Sequence, residues 1–382
     1  MAITVHEILQ LRSHDAASQR FGELISGAEA IALLSGAVDS GIIGALSEAS
    51  TARQVAAATG LEQKLIEQIL HALESYDLVD QCNNVFRLAP ELKLLTSVDA
   101  PLPLVDTLRV TKIRIGHLSN LAITGKDYTA LQADEVLSVA QGIISALSCT
   151  RNFVGTAIGQ MMPEVKKLWQ TGAYHLEAGC GVGNNLFQIL TTYPWVTAVG
   201  VEIEMATANE AKRRAALFDV SDRIEIRNTD ACTLTDEAVF DTAQWSQFFF
   251  PASCRAAALS AVFRAVKPGG YMFMPLLLAV SDNVWAYRRD MLYGALRIIK
   301  SEPLMALVYL NALLLTGPAH QKAEKQLSTL QKIVYGMWGV PARTVKELQS
   351  EVEASGFQVL RAIPIPSTRL FPIRGYLLVR RP

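Results

Sequence analysis

The sequence predicts an α/β protein, with a doubly wound, mainly parallel sheet in its C-terminal half and a mostly α-helical N-terminal half. Three observations predict it. From residue 174 onward, short β-rich runs alternate with helical stretches, and strands joined by helices need crossover connections and therefore run parallel to their neighbours. A glycine-rich turn, Gly179, Gly181 and Gly183, follows the first of these runs, where the carboxyl end of a strand meets a ligand in such sheets. Before residue 170, apolar residues recur at helical spacing and a single hairpin interrupts them.

A chain of 382 residues exceeds one ordinary core, since domains usually run about 100–200 residues. The expected division is an N-terminal unit over residues 1–105, a helical connector over 106–170, and a sheet domain over 171–382 with a helical insertion at 281–342. Half of the residues are hydrophobic and 19% are charged, which excludes a disordered chain and favours an apolar interior or ligand. The formal charge of −1 offers no broad field for gripping nucleic acid.

Five cysteines with no CxxC pair, and six scattered histidines, exclude a disulfide framework and a metal site of ordinary ligand spacing. A reducing cytoplasm is the expected location. Glu7, Arg12, His14 and Asp15 interrupt the N-terminus where a secretion signal needs an apolar core. The longest apolar run, residues 304–315, falls short of the roughly 20 residues of a spanning helix, so no membrane span is expected.

In the N-terminal half, residues 1–48 read as two helices with a mostly buried face. Ser50 and Thr51 then cap a short helix that ends at Gly60, and a second helix follows over 61–76. Residues 78–81 and 85–88 flank the turn pair Asn83 and Asn84 and read as a hairpin. Helix, turn, helix, hairpin is the winged-helix order. Its second helix carries Glu62, Glu67 and Glu74 against Lys64 alone, which repels phosphates. A structural or dimer-forming role fits this charge better than reading DNA.

In the C-terminal half, strands are expected over 174–178, 196–202, 224–228, 240–246, 271–278, 358–363 and 376–379. The glycines of the 179–183 turn permit positive φ and close approach of a ligand to the backbone. Their spacing is GxGxG rather than the GxGxxG of dinucleotide sites, and Glu177 precedes them. A carboxylate there disfavours a diphosphate and favours a ligand with a cationic end, such as an amino-acid ammonium. Glu202 ends the next strand and suits ribose hydroxyls, because a charged acceptor strengthens both bonds. Asp230 closes the third strand, with Ala231 after it, and suits an adenine amino group.

These segments resemble motifs I to III of class I S-adenosylmethionine-dependent methyltransferases, and Val266, Lys267, Pro268, Gly269, Gly270 and Tyr271 resemble the turn before their fifth strand. With the N-terminal winged helix, the whole chain resembles small-molecule O-methyltransferases that dimerise through that domain. The resemblance implies a Rossmann-like seven-stranded sheet of order 3-2-1-4-5-7-6. It also implies S-adenosyl-L-methionine as cofactor, S-adenosyl-L-homocysteine as product, a homodimer and direct methyl transfer. Glu177, Gly179, Gly181, Gly183, Glu202, Asp230, Ala231 and Ser246 become the expected cofactor residues.

One departure bears on the acceptor. Those enzymes commonly carry a His-Asp pair after the fourth strand, where this chain has Phe250 and Pro251. A phenol of pKa about 10 lies about 4 kcal/mol from ionised at pH 7, which a base must help supply. A carboxylic acid is already ionised. The preferred expectation is therefore O-methylation of a lipophilic fatty or aromatic carboxylic acid, with Gln247 orienting the acceptor and His117 approaching it from the connector. Trp285, Tyr287, Tyr293, Leu296, Leu304, Leu307, Tyr309 and Leu313 of the insertion are candidate pocket or lid residues, although an apolar stripe at helical spacing more often marks core than a ligand wall. Alternatives are C-methylation or phenol O-methylation, a non-methylating cofactor-assisted cyclase, and a DNA-binding regulator.

Overall fold

The computed structural model describes residues 5–96, 104–124, 131–143, 159–276, 284–300, 303–314, 329–330, 332–365 and 373–382. The chain divides into two compact units, Met1–Val98 with Pro103–Arg109 and Asp99–Leu102 with Val110–Pro382. Of the connector expected over 106–170, residues up to Arg109 group with the first unit and those from Val110 with the second.

In the first unit, α1 (Val5–Asp39) and α2 (Ile42–Ala45) precede β1 (Ser50–Thr51), α3 (Ala52–Thr59), α4 (Gln63–Ser75), β2 (Val79–Cys82), β3 (Val85–Leu88) and α5 (Pro90–Thr96). Thr51 and Gln54 form a reciprocal capping box that starts α3, and Gly60 ends it at φ 72°. Asn83 and Asn84 both take positive φ, the geometry of a tight hairpin turn, so β2 pairs with β3 from Val79↔Leu88 to Cys82↔Val85. β1 adds antiparallel to β3. Leu34, Ile42, Val55, Ile66, Leu70 and Phe86 form part of this unit's core.

The expectation for residues 1–48 needs correcting. Two helices form there, α1 of 35 residues and the short α2, but from residue 15 to 30 α1 is almost wholly exposed rather than buried, with Phe21 65% and Leu24 67% accessible. Its C-terminal end, with Leu34 and Ala37, packs into the unit's core. By length and composition alone, its segment Asp15–Asp39 is long enough and apolar enough to cross a membrane.

The second unit holds a seven-stranded sheet: β4 (Tyr174–Ala178), β5 (Thr197–Glu202), β6 (Ile224–Asn228), β7 (Phe240–Trp245), β8 (Val266–Leu276), β9 (Gln358–Pro364) and β10 (Gly375–Arg380). Their spatial order is β6-β5-β4-β7-β8-β10-β9, which is 3-2-1-4-5-7-6 in sheet numbering. The first five are parallel, and β10 lies antiparallel to both β8 and β9. The expected turn at 267–270 lies inside β8, where the register with β7 jumps from Phe240↔Val266 to Thr242↔Tyr271. Residues 277 and 278, expected in this strand, lie outside the described residues.

Two apolar clusters cover the two sheet faces. One gathers Trp169, Phe187, Leu190, Phe273 and Tyr376 with residues of the insertion. The other gathers Leu176, Val199, Trp245, Leu259 and Leu377. Each fully buried Leu, Val or Phe stabilises the fold by about 1.5–3 kcal/mol, so the near-continuous apolar strands demand helices on both sides. His175, in β4, is a core residue: its Nδ1 lies 2.8 Å from Thr242 Oγ1, and burial pushes its pKa down to about 3.

Candidate functional site

The turn after β4 is built by three left-handed glycines, Gly179, Gly181 and Gly183, at φ 74°, 56° and 83°. Gly183 leads into α6 of the second unit's sheet, the helix Asn184–Thr192. The turn sits close to β5: Gly179 and Cys180 N–H groups donate to the Val201 carbonyl at 2.9 and 3.0 Å. A side chain at Gly200 would lie 2.8 Å from Cys180 Sγ, so the bare backbone of β5 lets the turn approach.

Glu177, the penultimate residue of β4, is 1% exposed. Its Oε1 accepts from Asn185 Nδ2 at 3.0 Å, Gln244 Nε2 at 3.1 Å and Ser246 Oγ at 3.0 Å. Its Oε2 is buried with no hydrogen-bond partner, an arrangement that leaves one acceptor for a ligand. Burial pushes the carboxyl up to about 7, with the Asn185 and Ser246 bonds acting in the opposite direction.

Glu202, at the tip of β5, ties the next strand to the turn. Its Oε2 accepts from Gly181 N and its Oε1 from Glu204 N, both at 2.9 Å. Burial raises its pKa while these amides lower it. Past the end of β6, Thr229 N donates to Glu202 O at 3.1 Å. Asp230 Oδ1 caps a short turn by accepting from Cys232 N at 2.9 Å, and Ala231 is buried beside it.

A cleft opens at these strand tips. Glu177, Gly179, Cys180, Gly181, Asn184, Asn185, Gln244 and Ser246 form its polar part, and Phe248, Phe249, Pro275, Ile373, Tyr376 and Ala140 its apolar part. Thus Glu177, Gly179, Gly181 and Ser246 meet in one place, with Gly183 next in the turn and Glu202 bonded to it. Asp230 and Ala231 occupy the third strand tip and do not line the cleft.

Residues 176–270 match the family model of the methyltransferase domain. The chain carries a methyltransferase domain. No curated protein matches it in sequence. Its fold is that of class I S-adenosylmethionine-dependent methyltransferases, as three solved structures illustrate. Mitomycin 7-O-methyltransferase shares 15% identity at TM-score 0.66, over 97% of this chain and all of that one. Human N-acetylserotonin methyltransferase, solved with S-adenosylmethionine, shares 15% identity at TM-score 0.63, over 96% of this chain and 97% of that one. An O-methyltransferase family protein from Burkholderia thailandensis shares 15% identity at TM-score 0.58, over all of this chain and 99% of that one.

Within this methyltransferase fold, neither of the two candidate catalytic residues lines the cleft. Gln247 does not reach the cleft: its Nε2 donates to the Pro275 carbonyl at 2.9 Å and its Oε1 accepts from Arg255 NH2 at 3.0 Å. Both ends of the amide are taken, so it holds the end of β7 to the end of β8. His117 is taken up in the same way. Trp338 Nε1 donates to its Nδ1 at 3.2 Å, which leaves the proton on Nε2, 3.1 Å from Glu135 Oε1. The ring ties helix Leu104–Thr124 to helix Ala133–Ile143 and does not line the cleft.

The insertion's candidate residues divide between surface and core. Trp285, Tyr293, Leu296 and Leu307 are exposed and Tyr309 is buried in the core, while the side chains of Tyr287 and Leu304 lie outside the described residues. Trp285, Tyr293, Leu296, Leu307 and Tyr309 do not line the cleft. Conversely, sequence reasoning did not assign Asn185, Gln244, Ala140 or Tyr376 to the site. Asn185 and Gln244 carried a signal, standing at the opening of a helix and the end of a strand. Ala140 and Tyr376 carried none, since each reaches the cleft only through folding.

Proposed function

We propose that this protein transfers a methyl group from S-adenosylmethionine to a small lipophilic acceptor, preferably the oxygen of a carboxylic acid. The carrying observation is the buried, unpartnered Oε2 of Glu177 beside three positive-φ glycines. An amino-acid ammonium supplies the missing donor and the charge that returns the carboxyl to its ionised form. Glu202 accepts from the ribose, with its two oxygens already oriented by backbone amides. Asp230 and Ala231 receive the adenine edge, and Ser246 holds Glu177 in place. The cofactor supplies an electrophilic methyl on sulfur.

The acceptor follows from what the cleft lacks. Among the residues lining it, the ionisable groups are Glu177, Cys180 and Tyr376, and burial raises the pKa of each. Phe250 stands where a histidine base would, packed against the turn so closely that a Cβ on Gly179 would lie 2.8 Å from its ring. With no base prepared among the described residues that line the cleft, the acceptor arrives already anionic, and catalysis rests on desolvation and alignment against Phe248, Phe249 and Ile373. Residues 1–105 serve as a winged-helix dimerisation domain, which the exposed Phe21, Leu24 and Ile25 of α1 support.

The test is a mass-spectrometric screen of fatty, aromatic and oxo acids with the methyl donor. An ester heavier by one methylene is the expected product. A phenol or carbon acceptor methylated while every acid stays unreacted refutes the carboxylate reading, and product formed without label from a labelled donor refutes methyl transfer.

A further inference from the structure

The helix Val284–Ile298 enters the chain after β8, the strand whose Pro275 lines the cleft. Its inward side is made by Met291, Gly294, Ala295 and Ile298, all buried. Gly294 is required there: a Cβ would lie 2.4 Å from the Tyr309 ring of the next helix, Pro303–Leu314. The opposite side is apolar and exposed. Trp285, Leu292 and Leu296 stand at i, i+7 and i+11 and so share one stripe, at 76%, 43% and 58% exposure.

Cations border this stripe. Arg288 lies 5.6 Å from the Trp285 ring centre, Arg289 is ion-paired to Asp290, and Arg297 and Lys300 follow. Over 284–300 these four cations face Asp290 as the single carboxylate. An exposed Trp, an exposed Tyr293 and leucines bordered by Arg and Lys is the composition of helices that lie in the headgroup plane of a bilayer.

We infer that the outer face of helix Val284–Ile298 docks on an anionic lipid bilayer surface. Charge decides between occupants. In a symmetric pair of copies this face would meet itself and set like charges against each other, whereas anionic headgroups complement the positive excess that remains after Arg289 pairs with Asp290 and Arg297 acts on Glu164. At fifteen residues the helix spans about 22 Å, too short to cross the hydrocarbon core. It therefore lies on the surface. The inference does not depend on which acceptor the cleft takes.

Co-sedimentation of the full-length protein with phosphatidylcholine vesicles, with and without about one-third phosphatidylserine, tests it. The expected result is binding that needs phosphatidylserine and weakens as salt rises from about 0.1 to about 0.5 M. Trp285→Ala with Leu296→Ser, and separately Arg289→Glu with Lys300→Glu, are each expected to weaken it about tenfold or more. Thermal unfolding and affinity for the methyl donor should match the parent chain. Absence of vesicle binding overturns the inference, as does binding indifferent to phosphatidylserine. Binding unchanged in both variants assigns it to another element, the exposed α1 foremost, and overturns it too. A change in oligomeric state by sedimentation velocity, without vesicle binding in the parent, identifies a second copy as the occupant instead.

Discussion

Ser246 Oγ donates to Glu177 Oε1 at 3.0 Å, joining the tip of β7 to the penultimate position of β4. With Asn185 and Gln244 on the same oxygen, the carboxyl is held with one side saturated and the other open. A buried group so arranged costs stability in the empty protein and returns it on binding.

Replacing Glu177 by Gln is therefore expected to separate the two effects. Donor affinity should fall by about 1.5–3 kcal/mol, the worth of a hydrogen bond to a charged group. The empty protein should unfold at the same or a higher temperature at pH 8. Isothermal calorimetry and thermal unfolding check this, and unchanged affinity removes Glu177 from the cofactor site.

The pH dependence has a defined sign. The Glu177 carboxyl is pushed up to about 7 by burial, so the folded protein holds that proton more tightly than the unfolded chain. Its contribution to stability is full below the ordinary carboxylate range, near 4.5, and is lost as pH rises to about 7. Binding of a cationic ligand runs the other way, because it needs the carboxylate. Donor affinity should be about tenfold stronger at pH 8 than at pH 6, with a proton released on binding below pH 7. Equal affinity at both values contradicts the assignment.

The glycines of the turn should divide by what surrounds them. A Cβ at Gly183 would lie 2.5 Å from Phe187 Cζ, whereas one at Gly181 meets only Ala140 at 3.7 Å. Gly183→Ala is expected to destabilise the fold by about 3 kcal/mol, from overpacking plus positive φ. Gly181→Ala should cost about 1 kcal/mol of stability yet weaken donor binding at least about tenfold, since its methyl enters the cleft. Chemical denaturation beside calorimetry distinguishes the pair.

Arg255 should prove a stability residue. Almost wholly buried, it pairs with Glu351 at 2.6 Å, donates to the Gln247 carbonyl and Oε1 at 3.0 Å, and lies 4.7 Å above the Trp245 ring. Arg255→Met leaves these acceptors buried and is expected to cost about 3 kcal/mol. Arg343, which bonds the same Glu351 at 2.7 Å but is more exposed, should cost about 1 kcal/mol or less when replaced by Met. Comparable urea midpoints for the two variants would refute the difference.

The sequence by itself determined the sheet, the order of its elements and the glycine turn. Strand alternation, the Asn83 and Asn84 turn and the cap at Thr51 act over a few residues, so their causes are printed locally in the chain. Tertiary structure alone decided which polar groups remain available. Gln247 and His117 look reactive in a list of residues, but Arg255, Pro275, Trp338 and Glu135 occupy their hydrogen-bonding atoms from up to 221 positions away. It also decided that Trp285 and Leu296 face outward while Tyr309 faces in. An apolar stripe states that a helix has two sides, and only packing determines which side finds a neighbour.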